Sequence, residues 1–272
     1  MMQKVYKFIL HRPLFKGQDR LFNYLFTQNK LDKRPIIVNP IEGDFKICCD
    51  PSTWIGAKVI YTGNYEAAIK KIFKSVIKKG DRILDIGANI GFHTLYFAEL
   101  TGASGNVIAF EPVPHNYSAL NFNISINNFK HITAKNIALS NKNELILIAA
   151  DVSSPNPGAY NLFDKNGDIS VNCFVGDEII NNDRVDFIKI DVEGYESFVI
   201  DGLLQTIKNN KPKIIFEYDK HYHQKTGRSE DYIFTLLASL GYHFQYIYKD
   251  GLQTISDFQK LVSGNILALP NG

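Results

Sequence analysis

The chain has 272 residues, 45% of them apolar, with 30 basic against 28 acidic side chains and a net charge of +2. That length and apolar content suffice for one large core with a small appendage, and the charge balance argues against a nucleic-acid binder that works through bulk electrostatics. Three cysteines, Cys48, Cys49 and Cys173, form neither a disulfide framework nor zinc-ligand spacing, while the leading residues lack a cleavable leader pattern and no later segment reaches membrane-span length, so the expectation is a cytoplasmic protein with reduced thiols.

Residues 1–60 read as a cap, and residues 61–272 as the main domain. Within the cap, apolar residues between Val5 and Phe26, interrupted at Pro13 and Gly17, predict two short helices, and residues 36–38 and 45–48 flank Glu42-Gly43-Asp44 as a hairpin. Ala68, Ile69, Ile72, Phe73, Val76 and Ile77 recur at helical spacing within residues 65–78. Strands are predicted at 82–86, 106–110, 132–136, 185–190, 213–216, 242–247 and 266–269, with helices at 91–99, 115–126, 195–208 and 229–240. This alternation predicts an α/β fold, a doubly wound, mostly parallel seven-stranded sheet of Rossmann-like type. Residues 144–149 and 170–174 interrupt it as an inserted β-hairpin around a loop at 151–160.

The chemistry concentrates at two strand ends. Ile83-Leu-Asp-Ile-Gly-Ala-Asn-Ile-Gly-Phe-His-Thr94 is a strand that ends near Asp85, turns through Gly87 and Gly91, and opens a helix. The next strand ends in Glu111, about twenty residues past the last turn glycine, where a carboxylate would meet ribose hydroxyls. A dinucleotide turn wants a second glycine where this chain has Asn89, and the neighbouring acids would repel a diphosphate. A cofactor carrying positive charge fits better, and S-adenosyl-L-methionine has both an ammonium and a sulfonium. In that reading Asp85 attracts the ammonium, amides near Gly87 and Asn89 take the carboxylate, and Glu111 grips the ribose.

Four stretches carry a family resemblance: Gly63-Asn-Tyr-Glu66, Gly80 to Gly91 with Thr94, Glu111-Pro112 with Pro114, and Lys189-Ile-Asp-Val-Glu-Gly-Tyr-Glu196. On them the chain resembles the FkbM family of class I S-adenosylmethionine-dependent methyltransferases, from about Tyr61 to near its end. The resemblance implies a cofactor site of Glu66, Asp85, Gly87, Ala88, Asn89, Gly91, Thr94, Glu111 and Pro112, continuing to Asn136 and Asp191. It also implies acceptors among glycan sugars and secondary metabolites.

Methyl transfer to a hydroxyl needs a base. The candidates follow two strands, Asp191 and Glu193 after one and Glu217, Asp219, His221 and His223 after the other. His221 is the first choice, oriented by Glu217, with Glu193 next; Lys189 steers a carboxylate or holds the loop, and His93 reads as a packed or surface helix residue. Asp191, Glu193 and Glu217 offer hard oxygen ligands, but a divalent metal is the minority alternative and no metal site is assigned. Tyr61, Tyr65, Tyr160, Tyr195, Tyr218 and Tyr222 fall in predicted loops and are candidates for stacking on sugar faces. The expected activity is O-methylation of a saccharide or a saccharide-bearing or secondary-metabolite small molecule, with a glycan or small-molecule partner and no nucleic acid. Two rivals remain, a cofactor-binding partner subunit without turnover and a nicotinamide-dependent oxidoreductase, the latter disfavoured by Asn89.

Overall fold

The computed structural model describes residues 2–11, 17–148, 167, 169–249, 251–255 and 257–271. The predicted loop at 151–160, with Tyr160, lies outside them. Its centre is an eight-stranded sheet in the order Gly251–Thr254, Tyr242–Tyr248, Ser263–Pro270, Lys213–Asp219, Phe187–Ile190, Arg82–Ile86, Asn106–Phe110 and Ile132–Lys135. The seven expected strands are all present, and Gly251–Thr254 adds an eighth at one edge through an antiparallel pairing with Tyr242–Tyr248. From Lys213–Asp219 to Ile132–Lys135 every pairing is parallel.

Near-continuous apolar runs make these strands, because parallel strands covered on both faces must present apolar side chains to each. Along Lys213–Asp219, Ile214 and Phe216 join one buried cluster while Ile215 joins the other, the period-two alternation that assigns successive side chains to opposite faces. The second cluster also takes in Phe22, Phe45, Ile47 and Ala57, so the leading residues share a core with the sheet.

Two helices, Met2–Leu10 and Gln18–Thr27, open the chain, and Ile36–Val38 pairs antiparallel with Ile47–Cys49. A helix at Trp54–Thr62 was not anticipated; Thr53 caps it by accepting the Gly56 N–H at 3.1 Å. The inserted hairpin forms between Glu144–Ile148 and Ile169–Val175, and Ala138–Ser140 joins it as a third strand. The helix expected at 195–208 is two, Glu196–Gly202 and Leu204–Asn210. A Cβ on Gly202 would overlap the Ser140 carbonyl oxygen, so the break lies where helix and strand backbones meet.

Chain order positions the site. From Arg82–Ile86 the chain builds the sheet to one side, through Asn106–Phe110 and Ile132–Lys135, and then returns to build the other side from Phe187–Ile190. The crevice at the carboxyl ends beside this reversal is where open α/β sheets bind ligands.

Candidate active site

Parallel register brings the site together. Asp85 is paired with Lys189, and Ile86 and Phe216 are both paired with Ile190, so Gly87, Asp191 and Glu217 emerge together one residue further on. Two adjoining cavities open there, sharing Gly87, Glu111, Asp191 and Glu193. One, of about 510 Å³, is mainly apolar, walled by Phe110, Pro112, Val113, Ile137, Leu139 and Ile148. The other, of about 880 Å³, is acidic: Glu66, Glu111, Asp191, Glu193 and Glu217 line it with Lys189, His93, Tyr65 and Ala88.

The glycine turn between them is held by side chains as well as backbone. Gly87 and Gly91 sit at φ +83° and +89°, where L side chains are strained, and Asn89 takes φ +51° with its Oδ1 accepting the Ile90 N–H at 2.7 Å. Glu111 accepts the Asn89 N–H at 2.8 Å and the Val113 N–H at 3.0 Å. Burial pushes the Glu111 carboxyl up to about 7 even though these amides favour its charged form. Asn136 lines neither cavity; its amide donates to the carbonyls of Glu111 and Pro112 at 2.8 and 2.9 Å, fixing the chain behind the site.

Asp85 departs from the ammonium contact expected of it. Its carboxylate is fully buried, accepts the Thr94 hydroxyl at 2.6 Å, lies 3.7 Å from the Lys189 ammonium, and lines neither cavity. Gly91 and Thr94 likewise act from behind the cavity walls, Gly91 against Leu120 and Thr94 on Asp85.

The acidic cavity is organised around Lys189, whose ammonium is 3.2 Å from Asp191 Oδ2. Burial opposes ionisation of Asp191, but Lys189 outweighs it and holds this carboxyl below its ordinary value. Glu217 is its opposite: burial, then the Asp191 charge, push it up to about 10, so the proton that the two acids share rests on Glu217. Burial with Asp191 and Asp219 nearby raises Glu193 to about 7. Glu193 and Glu66 both occupy left-handed backbone, at φ +51° and +50°, conformations that cluster at functional sites. Glu196, buried beneath, accepts the N–H groups of Val192 and Gly194 and so shapes the turn that presents Glu193. One carboxylate oxygen from each of Asp191, Glu193 and Glu217 lies within 4.8 Å of the others, although Lys189 and the shared proton already offset much of their charge.

The histidines exchange places relative to expectation. His221 is exposed on the short helix Lys220–Gln224 and lines neither cavity, and His223 is buried with Nε2 2.8 Å from the Ser229 carbonyl oxygen. Asp219 caps this helix by accepting the Tyr222 N–H at 3.0 Å, and residues two apart on a helix point to nearly opposite sides. His93 lines the acidic cavity instead, its Nε2 2.7 Å from Glu66 Oε2 and its ring among Tyr65, Phe73, Phe92 and Phe97. Its place in the first turn after Gly91, beside Thr94, was the sequence signal. Of the tyrosines, Tyr61, Tyr195 and Tyr218 are core residues, and Tyr65 is the one that lines the acidic cavity among those described.

Comparison with known proteins bears on the whole arrangement. Residues 85–244 match the family model for the Methyltransferase FkbM domain. Over 185 residues, 59% of this chain and 72% of the relative, the sequence is 25% identical to Methyltransferase 1 of Beauveria bassiana (strain ARSEF 2860). Among solved structures it is similar to methyltransferase FkbM from Methylobacillus flagellatus KT, with TM-score 0.45 and 14% identity, covering 93% of this chain and 59% of that longer one. It is also similar to an O-methyltransferase from Bacillus cereus in complex with SAH, with TM-score 0.46 and 14% identity over 76% of this chain and 83% of that one. The family match spans more than half of the chain and runs from Asp85 through the strand ends that carry Glu111, Asp191 and Glu217, and the chain belongs to the FkbM methyltransferase family.

Proposed function

We propose that the protein transfers a methyl group from S-adenosylmethionine to a hydroxyl oxygen of a saccharide or saccharide-bearing metabolite. The observation that carries this reading is the composition of the cavity wall: five acids, which a bound cation would ionise further, against Lys189, the one lysine or arginine among the described lining residues. A dinucleotide's diphosphate would meet those acids at close range, whereas an ammonium and a sulfonium are attracted by them. The apolar cavity suits a flat heteroaromatic base, Glu111 at the junction suits ribose hydroxyls, and Gly87, with no Cβ, lets the turn close against the Asp191 backbone beside both.

S-adenosylmethionine supplies an electrophilic methyl whose leaving group is a neutral thioether, so the chain must position the acceptor and take its proton. Glu193 is the base in this reading. It lines both cavities, and a carboxyl raised to about 7 is poised between accepting and releasing a proton. The Glu66–His93 pair borders the same space and orients the acceptor. The saccharide class rests on the family resemblance.

Calorimetric titration tests the cofactor: S-adenosylmethionine and its demethylated product should bind, and NAD should not. Mass spectrometry of products from labelled cofactor and host glycan and small-molecule extracts tests the acceptor. Binding without any labelled product would favour the non-catalytic partner subunit, and comparable NAD binding would overturn the cofactor assignment.

A further inference from the structure

We propose that helix Met2–Leu10 docks the protein in the headgroup plane of an anionic lipid bilayer. Among the described residues, one face of the helix holds it to the body. Leu10 is buried, Gln3 Nε2 donates to the Lys30 carbonyl at 2.8 Å, and the Tyr61 hydroxyl donates to Gln3 Oε1 at 2.6 Å. The outward face carries Met2, Val5 and Phe8, which are 64%, 48% and 79% exposed. Residues three apart on a helix are neighbours, so these side chains form one apolar stripe, left largely uncovered by the other described residues. Single exposed apolar residues are ordinary, but an aligned stripe that includes a phenylalanine left mostly in water marks an interaction surface.

Charge identifies what covers it. Residues 1–34 hold eight basic and two acidic side chains, whereas the other 238 residues hold 22 basic and 26 acidic. Lys4 is exposed on this same helix, and the Gln3 bond reaches the backbone carbonyl of Lys30, an exposed residue whose ammonium lies 5.2 Å from the Tyr24 ring centroid. A second copy of this same segment carries the same excess of positive charge, which disfavours it as the occupant. A bilayer with anionic headgroups accepts both the apolar stripe and the flanking positive charge, the pattern of helices that lie in the interface. No helix among the described residues is long and apolar enough to cross a membrane, so the helix lies on the surface.

The test is co-sedimentation of the full chain with vesicles of phosphatidylcholine alone or mixed with phosphatidylglycerol, at low and high salt. The mixed vesicles should retain the protein and release it as salt rises. Phe8→Asp should weaken partitioning by about 10-fold or more, and Lys4→Glu should weaken it by about 5-fold at low salt but little at high salt. Circular dichroism and melting temperature should not change in either variant, because both side chains are exposed. No retention of the parent protein by mixed vesicles, or equal retention of Phe8→Asp, overturns the proposal. A lipid-free dimer that Phe8→Asp dissolves would overturn it in favour of a second copy.

Discussion

Gly87 lies directly against the backbone of Asp191: a Cβ built at residue 87 would overlap the Asp191 carbonyl oxygen. The turn that opens the helix Phe92–Thr101 and the strand end that carries the acidic cluster are therefore in contact through a position where a side chain has no room. Gly87 also holds φ at +83°. Gly87→Ala should lower the melting temperature and weaken S-adenosylmethionine binding by about 10-fold or more, since the left-handed conformation alone costs about 1–2 kcal/mol for an L residue. Scanning fluorimetry and calorimetry check both effects.

Lys189 is 4% exposed and faces both Asp85 and Asp191 from the neighbouring register position. Lys189→Met removes the compensating charge while keeping the apolar stem. The expected loss of stability is about 3–5 kcal/mol, the range for stranding a buried partner. Urea unfolding at neutral pH measures it, and a loss below about 1 kcal/mol would mean that water or another cation serves the acids.

The cofactor-free protein should lose stability as pH rises from the acid side toward neutrality and beyond. Burial raises Glu111 and Glu193 to about 7, Glu196 to about 8 and Glu217 to about 10. Carboxyls raised above the unfolded value of about 4.3 bind protons more tightly when folded. Their contribution is full below that unfolded value and is lost as pH climbs through the folded values. Glu217→Gln keeps a donor toward Asp191 without the titrating proton, so it should raise the melting temperature at pH about 8 by about 2–4 °C and flatten the decline. Calorimetry across pH gives the slopes; parallel slopes for parent and variant would refute this account.

Binding of a cation should reverse that balance, because a positive cofactor favours ionised carboxyls at Glu111 and Glu193. S-adenosylmethionine affinity should therefore increase with pH between about 6 and 8, with protons released on binding. Titration calorimetry in buffers of different ionisation enthalpy counts those protons, and zero release would separate the acids from the cofactor.

Glu193→Gln should reduce kcat by about 100-fold or more while changing cofactor Kd by no more than a few fold, as loss of a general base does. In the parent enzyme kcat should rise with pH, with an inflection below about 7 because the bound cation lowers the Glu193 pKa. His221→Ala serves as the contrast. That side chain is exposed and outside both cavities, so steady-state kinetics should match the parent.

The parallel strands and the glycine turn at Gly87 and Gly91 were legible because their causes are local. A strand buried on both faces must be apolar throughout, as at Phe187–Ile190 apart from Lys189, and a left-handed turn favours glycine. The helix Trp54–Thr62 was not legible because five of its nine residues are buried, including adjacent pairs, which leaves no polar stripe to mark its period. Its N-cap, Thr53, was the remaining cue. The break at Gly202 depended on Ser140, sixty-two residues earlier in the chain, and no local pattern encodes that approach.

By itself the sequence determined the alternating α/β plan, the turn at Gly87 and Gly91, and the gathering of acids at strand ends, since propensity and hydrophobic period act over a few residues. Tertiary structure alone decided which of those groups meet. Parallel register set Lys189 against Asp85 and took that carboxylate out of the cavity, and helix phase turned His93 inward and His221 outward. Register and phase are relations between segments far apart in the chain, and packing of the shared core settles them.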